Sequence, residues 1–466
     1  MEQASRLDWP REHVDPARRG NHICYNSGCG ASATIRAGLR ISLDDSLDQR
    51  RVPVPEQLRI VFVLQEDFAS PTEQQAFGFA QELARRGHEV MLSIACPPES
   101  LEQENLSLPE RVTMVRHALR GPIVSREARD RVRAFAPDVI HSWKPRAPSI
   151  AVTRNYRRIT GAPCFVHFED DEWQTWPTVP GIRTKLGWLR RRALASVDPK
   201  SWEFSTPGVL RWVRRSAAAV DAIVPTLARE VETRLGRACI VILPTLPQAP
   251  IDSDAPSLLP DPGPDRPVHI LFTGKVTTSS LPDFRYAIEA IAIVRRRGLD
   301  VRLVQAGKVQ ADVDLLPFVD DAGLDRGALI LLGHVALPDL GATLRSATAL
   351  LQPGPPSRFN RLRLPAKLTL YLRSGVPTIT FAGGVGELLV DGDEVLMTYT
   401  DDPEELADRI VELVGDPDLR QRLARGGPLA AKRLFDAATN TDALLAYYRS
   451  ALQSVAPALG SPDRST

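Results

Sequence analysis

The chain has 466 residues, 43% hydrophobic and 25% charged, and a formal net charge of +1. That length exceeds one ordinary core and makes two domains of roughly 200 residues each the expectation. The composition excludes a disordered or fibrous protein, and the near-neutral balance leaves no overall field for nucleic acid or a membrane, so electrostatic function must come from local clusters.

Residues 1–57 lack sustained periodicity and read as a loosely structured extension. The opening MEQASRLDWPREH has no apolar core of the signal-peptide kind, and no later stretch approaches the ~20 apolar residues of a membrane span, so a cytoplasmic protein is expected. Five cysteines, at 24, 29, 96, 164 and 239, are too scattered for a disulfide framework. His22, Cys24 and Cys29 supply three zinc-type ligands with no fourth nearby, which favours free thiols over a metal site.

A first domain is expected over 58–248. The strand LRIVFVL leads into SPTEQQAFGFAQELARRGHEV, a helix with a capping-box pattern at Ser70 and Glu73, Pro71 at its first position, and Gly87 at its stop. EVMLSIA follows, completing a β-α-β unit. The short apolar runs PDVIHSW, APCFVHF, DAIVPT and CIVILPT alternate with helical stretches, the pattern of a doubly wound parallel sheet. Residues 249–267 hold six prolines and read as a linker. The alternation restarts over 268–466 with VHILFTGK, a helix over 283–297, VRLVQAGK, ALILLGHV, TALLQP and VPTIT, then helices from about 403.

Ligands of open α/β sheets bind beyond the carboxyl ends of the strands. Only seven lysines stand against 51 arginines, and Lys144, Lys275 and Lys308 each follow a strand. Lys367 opens the helix after TALLQP, with Pro365 fitting that helix's start. Free backbone N–H groups, the positive dipole end and an ammonium would converge there on an anion, with phosphate the natural fit. Arg361 and Arg363 are candidate helpers, whereas Arg358 and Arg373 read as structural or solvated.

Three further features each keep more than one reading. The run Glu169-Asp170-Asp171-Glu172 suits a divalent cation, a solvated turn, or an acceptor-hydroxyl contact or general base through Asp170 or Asp171. Residues 181–215 carry nine basic residues against Asp198 and Glu203. Their pattern fits either a basic amphipathic helix on an anionic membrane or an insert packed on the first domain. His167 is a site histidine or a satisfied core histidine.

In order and spacing, LARRGHEV, PDVIHSWKPR, LFTGK, LPAKLTLYLRSGVPTI, GGVGELLVDGDE and DPEELADRIVELVGDPDLRQRLA resemble the glycosyltransferase family 4 type of GT-B enzymes, from about residue 58 onward. The resemblance implies two facing Rossmann-like domains, the second binding a nucleotide-diphosphate sugar and the first a glycan, lipid-linked or small-molecule acceptor. It also implies hexosyl-type transfer with retention and with neither metal nor other cofactor. By the same resemblance Lys275 and Lys367 meet the donor diphosphate, Glu387 with the backbone of Gly383 and Gly384 sits beside its sugar, and His167 is the active-site histidine; the residue pattern adds Gly274, Lys308, Arg361 and Arg363 on the donor side and Asp170 as a catalytic candidate. Departures accompany it: Leu362 and Leu370 stand where relatives carry two glutamates, Ser280 replaces a lysine, and SPTEQQ replaces a glycine-rich loop. A leucine offers the nucleotide's ribose no acceptor. An unusual donor, a binding or scaffold protein without catalysis, and a nucleotide-sugar epimerase therefore remain alternatives.

Overall fold

The computed structural model describes residues 54–65, 71–96, 108–118, 124–173, 207–245, 256–259 and 267–455. All of them belong to one compact unit, Arg51–Thr466. His22, Cys24 and Cys29, Ser70, most of the linker and the greater part of 181–215 lie outside the described residues.

The first sheet contains β1 (Arg59–Leu64), β2 (Glu89–Cys96), β3 (Val112–Ala118), β4 (Val139–Trp143), β5 (Cys164–Phe168), β6 (Ala219–Ala222) and β7 (Cys239–Val241). Its order is β3-β2-β1-β4-β5-β6-β7, with every pairing parallel. The second contains β8 (Val268–Thr273), β9 (Val301–Ala306), β10 (Leu329–Gly333), β11 (Ala349–Leu351), β12 (Thr378–Phe381) and β13 (Leu396–Thr398). It is also wholly parallel, in the order β10-β9-β8-β11-β12-β13. Strands β4 and β5 are buried at every position, as helices on both faces of a sheet require. β3 and β13 were not legible in the sequence.

Two features tie the halves together. A shared buried cluster joins Ile223 and Leu227 of the first half to Leu362, Leu364, Leu368 and Val385 of the second. Leu362 is 3% exposed within it, so the position that carries a glutamate in the resemblance serves apolar packing here. The last helix, Ala437–Val455, then crosses back: Leu444 and Tyr448 pack with Leu58, Phe62 and Phe165 on the first sheet. The ring centroids of Phe165 and Tyr448 are 4.9 Å apart. No described helix is long and apolar enough to cross a membrane.

Candidate active site

The carboxyl ends of both sheets border one cavity of about 390 Å³, whose wall includes Lys144, Arg146, Glu169 and Asp170 from the first half and Asp283, Arg363 and Lys367 from the second. Doubly wound sheets concentrate ligands at this place.

On the second-half side two helices begin at the wall. Helix Leu281–Arg296 contributes Ser280 and Asp283, and helix Ala366–Ser374, capped by Pro365 at φ −65°, contributes Ala366 and Lys367. Their positive dipole ends favour an anion. The Lys367 ammonium lies 3.8 Å from the Phe272 ring centroid. Burial, with help from the neighbouring Arg363 charge and against Asp283, pushes Lys367 down to about 7. Gly274 makes this possible: it adopts φ +127°, and a Cβ there would stand 2.9 Å from Lys367 Nζ. Arg363 donates to Asp283 Oδ2 at 3.0 Å and to Asn360 Oδ1 at 2.6 Å, while Asn360 donates to Asp283 Oδ1 at 2.9 Å. Burial raises the Asp283 carboxyl despite these partners.

The first-half side is neutralised differently. Lys144 has a left-handed backbone, φ +66°, unusual for a residue with a side chain. Its carbonyl accepts from Ser149 Oγ at 2.7 Å. Its Nζ stands 3.1 Å from Glu169 Oε2 and 3.2 Å from Asp170 Oδ2. Burial alone would depress this ammonium, but Glu169 and Asp170 outweigh it and hold Lys144 above the ordinary lysine range. Burial likewise opposes ionisation of Asp170, yet Lys144 and Arg146 hold it below the usual carboxylate range. Of the acidic run, Glu169 and Asp170 thus share an ammonium, and Asp171 accepts from Arg358 Nε at 2.9 Å. Arg358 also donates to Glu230 at 2.7 Å, so it is a structural bridge between the halves rather than a solvated residue.

Behind that wall lies a buried polar group. His167 Nδ1 is 2.5 Å from Asp221 Oδ2, His141 Nε2 is 3.1 Å from Asp221 Oδ1, and His141 Nδ1 is 2.7 Å from the Tyr448 hydroxyl. Donors of these three residues fall within 4.8 Å of one another. Tetrahedral zinc ligands at about 2.0 Å from the ion stand about 3.3 Å apart; the 2.5 Å His167–Asp221 separation is a hydrogen bond instead.

Of the residues expected at the site, the structure brings Asp170, Arg363 and Lys367 into the cavity wall, with Gly274 against Lys367. Lys275 and Lys308 are exposed and outside it. His167 is 1% exposed, one layer behind. Glu387 binds Arg229 at 2.6 Å and Thr226 across the halves. Gly383 and Gly384 meet Arg361, whose backbone oxygen would lie 2.8 Å from a Cβ at Gly384. Sequence reading missed Asp283, Asn360 and Arg146. An acid in a helix's first turn is an ordinary dipole complement, so only the pairing of Asp283 with Asn360, 77 residues away, reveals it. Lys144 was visible as a strand-end lysine, and Ser280 and Gln75, two of the departures, also line the cavity.

Comparison with known proteins agrees with this geometry. Residues 72–245 match the family described as Glycosyltransferase Family 4, and residues 267–416 match the one described as Glycosyl transferases group 1. An alpha-D-kanosaminyltransferase of Streptomyces kanamyceticus is 30% identical over 189 residues, covering 40% of this chain and 46% of that protein. A D-inositol 3-phosphate glycosyltransferase of Paenarthrobacter aurescens is 26% identical over 160 residues, covering 34% and 38%. The chain therefore spans less than half the length of these curated relatives. Among solved structures, Anabaena HepE in complex with UDP gives a TM-score of 0.58 at 15% identity, covering 84% of this chain and 100% of the other. Sucrose-phosphate synthase from Thermosynechococcus elongatus gives 0.59 at 15%, covering 85% and 100%. With one family model on each half and the two-sheet fold of such structures, the chain belongs to the family 4 type of GT-B glycosyltransferases.

Proposed function

We propose that the chain transfers a sugar from a nucleotide-diphosphate sugar to a glycan, lipid-linked or small-molecule hydroxyl acceptor, with retention. The observation that carries this reading is Lys367: a desolvated ammonium at a helix N-terminus, beside Arg363 and, among the described residues, without a carboxylate at contact distance comparable to those of Lys144. A diphosphate supplies the missing charge. Lys367, Arg363 and the two helix starts would then neutralise the charge building on the departing diphosphate, the task a divalent ion has in other transferases. Asp170, held ionised and so a weak base, would accept a hydrogen bond from the acceptor hydroxyl and orient it. Support for a nucleotide comes also from HepE, crystallised with UDP and with UDP-glucose.

A thermal-shift screen of UDP-, GDP- and ADP-sugars, followed by assay of sugar release, tests this. One donor should raise the melting temperature of the wild type and not that of Lys367→Ala. No shift with any donor, and a Lys367→Ala protein that behaves as wild type, would overturn it. Stabilisation without turnover, with acceptors supplied, marks a binding protein; Leu362, buried where relatives place a carboxylate, is the observation that favours that second reading.

A further inference from the structure

The parallel register places His167 directly beside Asp221, and His141 beside Phe165, two residues before His167. Three polar side chains on neighbouring strands β4, β5 and β6 therefore share one face of the first sheet, where the last helix covers them. All three are at most 1% exposed. A carboxylate so deeply buried needs donors or positive charge beside its oxygens; here His167 hydrogen-bonds Oδ2 and His141 Nε2 stands 3.1 Å from Oδ1.

We propose that Tyr448, His141 and Asp221 are positioning residues that lock the tautomer of His167 and present its bare Nε2 toward Glu169 at the cavity wall. The last helix, from the far end of the chain, thereby takes part in setting the site.

The proton positions follow in order. Burial disfavours the Asp221 carboxylate, but His141 and His167 more than offset that and bring it down to about 2, so Asp221 holds no proton at neutral pH. Each nitrogen facing it then carries its proton on that side: His167 donates through Nδ1–H, and His141 Nε2–H points its positive end toward Oδ1 at 3.1 Å. Burial lowers His141 and keeps its ring neutral, leaving Nδ1 as an acceptor. The Tyr448 hydroxyl, itself held protonated by burial, fills that acceptor at 2.7 Å. Tyr447 lies against the same Asp221 carboxylate. Tyr448 to His141 and Asp221 to His167 are thus hydrogen-bonded, and His141 Nε2 meets Asp221 Oδ1 as a close 3.1 Å charge contact between them. His167 Nε2, at the wall end of the row, is buried without a hydrogen-bond partner among the described residues. It stands 3.9 Å from Glu169 Oε1, too far for a hydrogen bond. The other oxygen of Glu169 holds the Lys144 ammonium in the cavity wall. The row therefore runs from the last helix through three strands to the first-half wall.

Its catalytic consequence rests on the transferase reading above, but the row itself can be tested without turnover. In full-length protein carrying ¹⁵N-labelled histidine, two-bond ¹H–¹⁵N correlations distinguish the two neutral tautomers; His167→Gln identifies the His167 signals and Tyr448→Phe perturbs those of His141. Wild type should show His167 protonated on Nδ1 and His141 on Nε2. Tyr448→Phe, which keeps the ring packing, should abolish the single His141 tautomer and shift the His167 nitrogens. If the protein turns over, kcat should fall severalfold with the donor KM unchanged. His167 protonated on Nε2 in wild type would overturn the proposal, as would a Tyr448→Phe protein with both histidine patterns intact. Failure of every nucleotide sugar to bind would overturn the transferase reading while leaving these spectra to decide the row.

Discussion

Two lysines face the same cavity from opposite halves and respond to burial in opposite ways. Lys144 sits between Glu169 and Asp170, and those carboxylates raise it above its ordinary range. Lys367 sits over an aromatic ring beside another cation and falls to about 7. The first is paired with carboxylates of the protein; the second meets the face of Phe272 and, among the described residues, no carboxylate at ion-pair distance. Burial of a charge without a partner is destabilising, and retaining one at the mouth of two helices is understandable where an anionic ligand completes it.

The comparison can be broken in five ways. Leu362→Glu restores the side chain seen in relatives but places a carboxylate in the apolar cluster between the halves; it should cost about 3 kcal/mol of stability in urea unfolding. Lys144→Met removes the cation from two partly buried carboxylates and should cost about 2 kcal/mol. Because the Asp170 pKa is lowered in the fold, its favourable contribution exists above the normal carboxylate range and vanishes as pH falls through it. The Lys144→Met penalty should therefore be largest at neutral pH and shrink in acid.

Lys367→Ala should weaken nucleotide-sugar binding by about 10- to 100-fold, the loss of charge-assisted hydrogen bonds, with little destabilisation of the free protein, as calorimetric titration would show. In wild type the same titration should be pH-dependent. Lys367 is charged below about 7 and neutral above, whereas a bound diphosphate favours the charged form. Affinity should then decline as pH rises from 7 to 9, by up to about tenfold per unit, with proton uptake on binding. The smallest effect belongs to Arg358→Ala. It removes a partly exposed bridge to Asp171 and Glu230 and should lower stability by about 1 kcal/mol in thermal melts.

The resemblance and the strand pattern together pointed to the second-half wall of the cavity, because Lys367, Arg363 and Gly274 lie within or beside contiguous motifs. The first-half end was less legible. The acidic run shows four carboxylates but not which of them meets Lys144 or Arg358, since those partners come from other strands and from the other half. Lys275, read from its strand-end position as a phosphate contact, is exposed and outside the cavity wall. Leu362 read as a lost ligand and proved to be part of the packing between halves.

What the sequence determined by itself is local or periodic: the alternation of short apolar strands with helices, hence two doubly wound parallel sheets, and the helix start that carries Lys367. What only the tertiary structure decided is the set of distant pairings. Asp283 with Asn360, Arg358 with Asp171, and Tyr448 with His141 across 307 residues leave no periodic trace. Their physical reason is burial: once packing excludes water from a polar atom, its partner must come from whatever the fold has brought alongside, however far away along the chain.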